Sequence, residues 1–230
     1  MNRTTDYDEA ISWARKLGLE GITPTVWIPK KGFSHAISND DGSVSFTRKD
    51  SPTFGLGVGP NPVIDEAWDF FALPKSLPKE KTLEFKLINR WNPYQISTRS
   101  FTNLHNAKVI SEEGLKDFLD ANAPESSVYP GNEETIFWAG ILKDDELVAI
   151  GCVNRWESGE FVISSIATKK SERNKGYGTD ITKGILALCN ERGIERVSLA
   201  VNAKNEVAAR VYEKIGFENL GRFNTFQRVD

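Results

Sequence analysis

A short basic turn with two glycines, at residues 169–178, joins a strand-like run to a helix-like run and constrains the fold more than any other segment. The run that ends at Thr168 contains several β-branched residues, and the run after Gly178 is apolar at every third or fourth position. Gly176 and Gly178 allow backbone conformations that a Cβ atom would obstruct. Because the first N–H groups of a helix are free and its dipole favours an anion there, this turn predicts a mixed α/β chain with a pyrophosphate-sized anion site.

The turn is positively charged although the whole chain is not. Four cations, Lys169, Lys170, Arg173 and Lys175, stand against Glu172 alone and leave a local charge of +3. The chain of 230 residues has a formal net charge of −3 and a pI of about 5.6, so its global charge does not predict a nucleic-acid partner. Taken alone, the turn is also compatible with a solvated basic loop that ends in glycines.

Rare residues and hydropathy argue against several classes of protein. Cys152 and Cys189 are the only cysteines, which is too few for a disulfide framework. His35 and His105 are not spaced as metal ligands, so we expect no metal site and interpret both as loop or surface residues without a role. No apolar run approaches the ~18 residues of a membrane span, and the N-terminus lacks the features of a secretory signal. We therefore expect a cytoplasmic protein with no membrane partner.

Residues 1–80 have an irregular pattern. The glycine-rich segment Phe54–Pro60 is interpreted as a strand end rather than a nucleotide-binding loop, because a proline stands where a helix would begin. Asn39–Gly42 has the composition of a tight hairpin turn. In this region we predict a helix over Asp8–Leu17, strands over Phe33–Ile37 and Val44–Thr47, a helix over Val63–Ala72 and a linker over Leu73–Lys79.

Residues 81–230 have a more regular pattern, and we predict that the linker divides the chain into parts 1–80 and 81–230. Short polar turns separate three strand-like runs between Ile136 and Thr168, which predicts antiparallel pairing. The predicted strands are Thr82–Ile88, Ile136–Leu142, Leu147–Trp156, Phe161–Thr168, Arg196–Val201, Phe217–Gly221 and Phe223–Arg228. The predicted helices run from a Ser111 cap to Asn122, over Gly178–Arg192, and over Asn205–Ile215 with Val207, Ala208, Val211 and Ile215 facing inward.

Two blocks in this part carry a resemblance to a known family. Arg173-Asn174-Lys175-Gly176-Tyr177-Gly178 matches R/Q-x-x-G-x-G/A, and Asn205–Phe217 matches N-x-x-A-x-x-x-Y-x-x-x-G-F. In this order and separation they closely resemble the GNAT superfamily of acetyl-CoA-dependent N-acetyltransferases. The resemblance covers roughly residues 82–230 and implies an α/β (α+β) fold with a mixed, mostly antiparallel central sheet flanked by helices. Residues 1–80 resemble the degenerate GNAT-like N-terminal halves of some two-part members.

The resemblance also implies acetyl-CoA as the co-substrate, without a metal. The strand end would hold the pantetheine arm through main-chain groups, as if the arm were an added strand, and the amides of the turn would hold the pyrophosphate. The Asn205 side chain would bond the arm near its reactive end, although capping of the following helix explains this asparagine about as well. The implied co-substrate residues are Ile166, Ala167, Thr168, Arg173, Asn174, Lys175, Gly176, Tyr177, Gly178, Thr179 and Asn205.

The resemblance places Tyr212 near the thioester sulfur, where it would be the general acid. A phenol with an ordinary pKa near ~10 is protonated at neutral pH and can donate to a departing thiolate. The alternative is a core aromatic beside the inward stripe of its helix. Transfer in this family is usually direct, with a main-chain N–H such as that of Ile166 stabilising the oxyanion, so neither cysteine is needed as a nucleophile.

The general base is left open. Glu134, Glu157 and Glu160 border the expected acceptor cleft, and a water chain or an amine that arrives neutral would serve as well. Histone-directed relatives carry a glutamate where this chain has Val162, which counts against protein-lysine acetylation by the same route. The aromatic candidates for lining the acceptor pocket, with core packing as the alternative for the tryptophans, are Trp138, Trp156 and Tyr129.

The sequence therefore predicts an N-acetyltransferase that moves acetyl from acetyl-CoA to a primary amine by direct attack. A small-molecule acceptor is favoured, and the acidic residues of the loop at 122–135 favour a cationic one. The alternatives are a non-catalytic acyl-CoA-binding or sensing module, an acetyltransferase for protein or peptide amines, and a transferase with a longer acyl donor. A homodimer is left open.

Overall fold

The computed structural model describes residues 1–49, 51–74, 76, 83–102 and 106–229, and within them thirteen strands form one sheet. The strands are β1 (Asn2–Thr4), β2 (Phe33–Ser38), β3 (Val44–Arg48), β4 (Phe54–Val58), β5 (Phe70–Leu73), β6 (Phe85–Ser97), β7 (Lys108–Ile110), β8 (Thr135–Lys143), β9 (Glu146–Arg155), β10 (Phe161–Thr168), β11 (Arg196–Asn202), β12 (Glu218–Asn219) and β13 (Phe223–Arg228). The α-helices are α1 (Tyr7–Arg15), α2 (Thr23–Trp27), α3 (Leu115–Asn122), α4 (Tyr177–Glu191) and α5 (Glu206–Ile215).

The sheet is mixed and mostly antiparallel, as the family resemblance implies. Its strands follow the order β1-β2-β3-β4-β5-β13-β6-β11-β10-β9-β8-β7, and β12 pairs with β6 outside this path. Two neighbouring pairs run parallel, β4 with β5 and β10 with β11. The other neighbouring pairs run antiparallel. The parallel pair β10 and β11 is joined through α4, as a crossover between parallel strands requires.

Helices cover both faces of the C-terminal half of the sheet. α4 buries Ile181 and Ile185 in one apolar cluster, and α3 buries Leu115 in another. Cys152 and Val153 are consecutive residues of β9 and belong to different clusters. Because successive side chains of a strand point to opposite faces, the two clusters lie on opposite faces of the sheet.

Among the secondary-structure elements predicted in the N-terminal part, one helix is wrong and the others are confirmed. The structure has α1, the β2–β3 hairpin and the strand β4 close to their predicted bounds. The predicted helix Val63–Ala72 is wrong, because residues 70–73 form β5 between β4 and β13. Trp68 is fully buried just before this strand, and its ring fills the space where a Cβ on Gly55 would lie. A short apolar run is compatible with a strand or a helix, and here the pairing with β4 and β13 makes it a strand.

The C-terminal elements are confirmed with three corrections. The strand predicted over Thr82–Ile88 starts at Phe85 and continues to Ser97, and Thr82 itself lies outside the described residues. Ser111 does not cap α3, because Gly114 precedes the helix with a φ of 72°. Val207 does not face inward, since it is 65% exposed. The residue that α5 buries is instead Tyr212, whose aromatic ring has a large apolar surface.

The two predicted parts of the chain meet in the sheet. β13, at the C-terminal end of the chain, pairs with β5 on one side and with β6 on the other. Trp91 of β6 stacks on Phe223 of β13 with ring centroids 5.1 Å apart, and Phe223 is buried in the cluster that contains α1. The division at residue 80 stays a prediction, and positions 75 and 77–79 of the predicted linker lie outside the described residues.

His35 corrects one expectation, because it is buried in β2 rather than placed in a loop or on the surface. Its Nε2 lies 2.9 Å from Asp65 Oδ2 and 3.3 Å from Thr47 Oγ1. Burial raises the pKa of Asp65, but the hydrogen bond from the Ala67 N–H and then that from the His35 imidazole outweigh this effect and hold the pKa below its usual value. This arrangement satisfies buried polar groups inside the N-terminal sheet. His105 lies outside the described residues.

Candidate functional site

The strands β10 and β11 separate toward their C-terminal ends. The two strands pair at Val162 and Ser198, near the start of both. β10 continues to Thr168 and β11 to Asn202, and no further register pair joins them within the described parts of the chain. Main-chain groups on the facing edges are therefore open to an extended ligand between the strands.

A β-bulge in β10 lies beside this opening. The register with β9 shifts between Ser164 and Ala167, and Ser165 has a φ of 53°. The Ser165 hydroxyl donates to the Val128 carbonyl oxygen at 2.6 Å and accepts from the Val128 N–H at 3.2 Å. Bulges re-aim the backbone locally, and this one takes Ile166 out of register with β9.

The turn after β10 presents a run of free main-chain N–H groups. Asn174 and Gly176 have φ values of 62° and 93°, and α4 begins directly after Gly176. The N–H groups of Thr179 and Asp180 both donate to the Gly176 carbonyl oxygen. Among the residues that the structure describes, the N–H groups of residues 174–178 have no acceptor. Successive free N–H groups at a helix start are able to bind an anion.

The turn is fixed to the end of α3 by Asn122. The Oδ1 atom of Asn122 accepts from the Lys170 N–H at 2.8 Å, and its carbonyl oxygen accepts from Arg173 Nη2 at 2.6 Å. Arg173 Nε also donates to the Thr168 carbonyl oxygen at 3.5 Å. The guanidinium of Arg173 therefore bonds main-chain oxygens of the protein, while its predicted contact with the pyrophosphate stays a prediction.

Two carboxylates compensate part of the positive charge of the turn. Glu172 lies 3.2 Å from Lys175 Nζ and 3.4 Å from Lys143 Nζ, and the hydrogen bond from Lys175 lowers the pKa of Glu172. Lys169 pairs with Glu146. With Lys143, Glu146 and Asp180 of the first turn of α4 included, five cations face three carboxylates, so the net charge around the turn is +2. The surroundings of the turn remain suited to an anion.

Tyr212 is buried, and its surroundings favour the protonated phenol. Its side chain is 8% exposed, and its ring centroid lies 6.0 Å from that of Tyr94 and 5.6 Å from that of Phe217. Burial, with a smaller effect from Tyr94, raises the pKa of Tyr212 to about 12. No described group forms a hydrogen bond with its hydroxyl. The core position that the sequence left as an alternative is observed, and the protonated hydroxyl is compatible with a donor role.

Asn205 caps α5, as the sequence allowed. Its Oδ1 atom accepts from the Ala208 N–H at 3.1 Å. The cap occupies the side-chain oxygen, and within the described structure the side-chain NH₂ group has no partner. The predicted contact with the pantetheine arm therefore depends on that NH₂ group.

The three candidate bases lie in loops at one end of the β8–β9–β10 meander: Glu134 precedes β8, and Glu157 and Glu160 lie between β9 and β10. Glu160 accepts from Arg196 Nη2 at 2.9 Å. Glu134 and Glu157 line a cleft of about 310 Å³ between the N-terminal and C-terminal parts. The cleft is also lined by Trp27, Arg48, Trp156 and Ser158. The sequence did not identify Trp27 or Asn122 as part of a site, because neither belongs to a motif and tertiary packing alone brings them there.

The remaining candidates divide between the cleft and the core. Trp156 lines the cleft, whereas Trp138 is 2% exposed and donates from Nε1 to Glu112 Oε1 at 3.0 Å. Tyr129 packs beside the α3 cluster and donates to the Pro124 carbonyl oxygen at 3.3 Å.

Both cysteines are buried, and burial raises the pKa of each thiol to about 12. Neither is suited to be a nucleophile at neutral pH. Among the described residues, no group of three or more His, Cys, Asp or Glu side chains could hold a metal ion. No helix in the described ranges has the length and apolar character needed to cross a membrane.

Comparisons with known proteins agree with this geometry. Residues 94–217 match the sequence profile of the acetyltransferase (GNAT) family. A Bacillus subtilis (strain 168) protein, called uncharacterized N-acetyltransferase YobR, is 23% identical over 159 residues, which is 68% of this chain and 60% of that protein. The aligned region therefore spans less than two thirds of the length of that curated relative.

Two solved structures share the fold. A GCN5-related N-acetyltransferase from Sphaerobacter thermophilus aligns with a TM-score of 0.57 at 10% identity and covers 99% of this chain and 95% of its own. A GCN5-related N-acetyltransferase from Kribbella flavida aligns with a TM-score of 0.56 at 13% identity and covers 94% of this chain and 95% of its own. At such identities the likeness concerns the fold alone.

Proposed function

The chain belongs to the acetyltransferase (GNAT) family, and on that premise we propose that it transfers acetyl from acetyl-CoA to a primary amine of a small molecule. The observation that carries the proposal is the run of free N–H groups at residues 174–178, next to the opening between β10 and β11. A ligand with a pyrophosphate joined to an extended amide-containing arm matches this combination.

The proposed binding mode uses the main chain. The pyrophosphate would accept from the N–H groups of the turn, and the amides of the pantetheine arm would pair with the open edge of β10 at residues 166–168. The Cβ position of Gly178 meets no protein atom closer than Thr168 Oγ1 at 3.7 Å, so the protein itself does not require a glycine there. A glycine at position 178 would instead allow the ligand to approach the backbone closely.

The proposed reaction is direct attack. The amine nitrogen forms a bond to the thioester carbonyl carbon, the carbon–sulfur bond breaks, and the departing thiolate takes the proton of Tyr212. The Ile166 N–H beside the bulge would donate to the developing oxyanion. The proton of the attacking amine passes to a base. The predicted candidates for this base are still Glu134, Glu157, Glu160 and a water chain. An amine that arrives neutral needs no base before the attack. Solvent restores the proton of Tyr212.

The preference for a small-molecule acceptor rests on Val162, which occupies the position of the glutamate in histone-directed relatives. A protein or peptide amine and a non-catalytic acyl-CoA sensor are the outcomes to be distinguished. The cytoplasmic location stays a prediction.

The test measures acetyl-CoA binding by calorimetry and CoA release with a panel of amines. Binding together with turnover of small amines supports the proposal. Binding without turnover of any small amine or peptide would identify a sensor. Absence of acetyl-CoA binding would overturn the assignment of the turn.

A further inference from the structure

Three half-buried tryptophans come together where the two parts of the chain meet. Trp27 is the last residue of α2, Trp91 lies in β6, and Trp156 directly follows β9. The ring centroid of Trp27 lies 5.1 Å from that of Trp91 and 6.0 Å from that of Trp156. Large aromatic surfaces that stay partly exposed in a concave site are typical of ligand binding.

Two of these rings and two carboxylates line the same cleft. Trp27 and Trp156 meet edge to face, at an interplanar angle of 81°, and Glu134 and Glu157 complete the lining with Arg48. Arg48 Nη1 lies 3.5 Å from the Trp27 carbonyl oxygen, to which it donates, and its guanidinium lies 5.4 Å from the Phe54 ring centroid. Two carboxylates against one guanidinium give the cleft a net negative charge.

The main chain fixes this cleft at the start of β10. The Trp156 N–H donates to the Glu160 carbonyl oxygen at 3.0 Å, and the Arg155 N–H donates to the Glu134 carbonyl oxygen at 2.9 Å. From Phe161 to Ile166 the chain runs five residues, but the bulge inserts one residue relative to β9, so the strand advances roughly 13 Å at about 3.3 Å per residue. A ligand that reaches both the cleft and the bulge therefore needs a second binding group well separated from its reactive amine.

We propose that the cleft binds a second, positively charged group of the acceptor, so that the acceptor is a diamine or polyamine with a distal ammonium. Indole faces attract cations, and the attraction increases when the cation is partly desolvated. Glu134 and Glu157 supply the opposite charge, and in this binding mode they are not the base for the reactive amine. The residues 1–80 thereby contribute to acceptor recognition through Trp27. This inference rests on the proposed acetyltransferase activity.

The test compares two acceptors of equal length, decamethylenediamine and the amino alcohol in which one amine is replaced by a hydroxyl group. The ratio of their kcat/KM values isolates the contribution of the distal charge. We expect the wild-type protein to prefer the diamine about tenfold or more. Glu157→Gln, Glu134→Gln and Trp156→Leu should each lower that ratio at least about threefold. The control Glu133→Gln removes a neighbouring loop carboxylate outside the cleft lining and should keep the ratio.

A wild-type ratio near one would overturn the proposal. A variant that lowers kcat equally for both acceptors would show a base or structural role instead and would also overturn it. If acetyl-CoA binds but no amine turns over, the proposed activity fails, and the cleft is then tested directly with decamethonium, a bis-quaternary cation that cannot be acetylated. Calorimetric binding of decamethonium that Glu157→Gln weakens would support the cation site, and no binding would refute it.

Discussion

Arg173 Nη2 donates to the main-chain carbonyl oxygen of Asn122 over 2.6 Å, which ties the turn at residues 169–178 to the C-terminal end of α3. The arginine of the R-x-x-G-x-G block is thus bonded to the protein in the structure. Asn122 adds a second tie through its side chain, which accepts from the Lys170 N–H. Both bonds hold the segment 170–173, which directly precedes the free N–H groups of residues 174–178.

The first prediction concerns this tie. Asn122→Ala and Arg173→Lys should each weaken acetyl-CoA binding about three- to tenfold, because each loses a hydrogen bond that positions the turn. Arg173→Lys keeps the charge but loses the fork that reaches two carbonyl oxygens. Calorimetric titration of acetyl-CoA at two salt concentrations measures the effect, with Arg210→Ala on α5 as the control. Full affinity in Arg173→Lys, together with a smaller salt dependence in Arg173→Ala, would indicate a direct contact with the pyrophosphate instead.

The second prediction contrasts two glycines of α4. Gly178→Ala should leave the protein as stable as the wild type or raise its free energy of unfolding by up to about 1 kcal/mol, because alanine favours a helix. The same change should weaken acetyl-CoA binding about tenfold or more through the close approach of the ligand.

Gly184→Ala is the matched control, because a Cβ there would overlap the Cβ of Ala107. It should cost about 1–3 kcal/mol of stability and leave the affinity of the folded protein unchanged. Thermal unfolding and calorimetry separate the two effects. Unaltered acetyl-CoA affinity in Gly178→Ala would contradict the proposed position of the ligand.

The third prediction concerns Tyr212 as the proton donor to the departing thiolate. Tyr212→Phe should lower kcat about 10- to 100-fold and change the affinity for acetyl-CoA little, because only the departing thiolate needs the hydroxyl. Burial raises the pKa of Tyr212 to about 12, so the folded protein keeps this proton above the ordinary value of 10.0 and loses it only as the pH rises toward 12. The wild-type rate should therefore show no alkaline decline from Tyr212 below about pH 11.

The pH profiles of kcat for both proteins check this prediction. Tyr7→Phe is the control, because it removes a hydroxyl that donates to the Ile28 carbonyl oxygen in the N-terminal part. Equal kcat in Tyr212→Phe and wild type would leave the tyrosine with a packing role alone.

Local sequence patterns predicted the elements whose pairing is local and missed those whose pairing is distant. The β8–β9–β10 meander, α4 and α5 follow from periodicity and turn residues within a short window. β5 did not, because its partners are β4 and the C-terminal β13. The end of β6 was missed for a similar reason, since residues 91–97 pair with β11 about a hundred residues later.

The same distinction holds for the candidate site. The two glycines of the turn stand in a contiguous motif, and the structure places free N–H groups beside them. Asn122 and Trp27 reach the site from other elements, without a pattern of their own. His35 resembled an isolated surface histidine because its partner Asp65 is thirty residues away.

The fourth prediction concerns the thiols. Burial raises the pKa values of Cys152 and Cys189 to about 12, so both stay protonated at pH 8 in the folded protein. Iodoacetamide at pH 8 should label neither thiol on the timescale on which it labels the denatured chain, because only the thiolate reacts. Mass spectrometry of the folded and denatured proteins measures the labelling. Fast labelling of the folded protein would show an accessible thiolate and reopen a covalent mechanism.

The last prediction tests whether the chain divides at residue 80. Without residues 1–80, β13 loses its partner β5, and Phe226 and Phe85 lose the cover of Trp68 and Phe71. We therefore expect a chain of residues 81–230 to aggregate or to unfold without a cooperative transition. Size-exclusion chromatography and thermal unfolding of this fragment, compared with the full chain, provide the measurement. A monodisperse fragment that unfolds cooperatively and binds acetyl-CoA would show that residues 81–230 fold alone, and residues 1–80 would then serve acceptor recognition without being needed for folding.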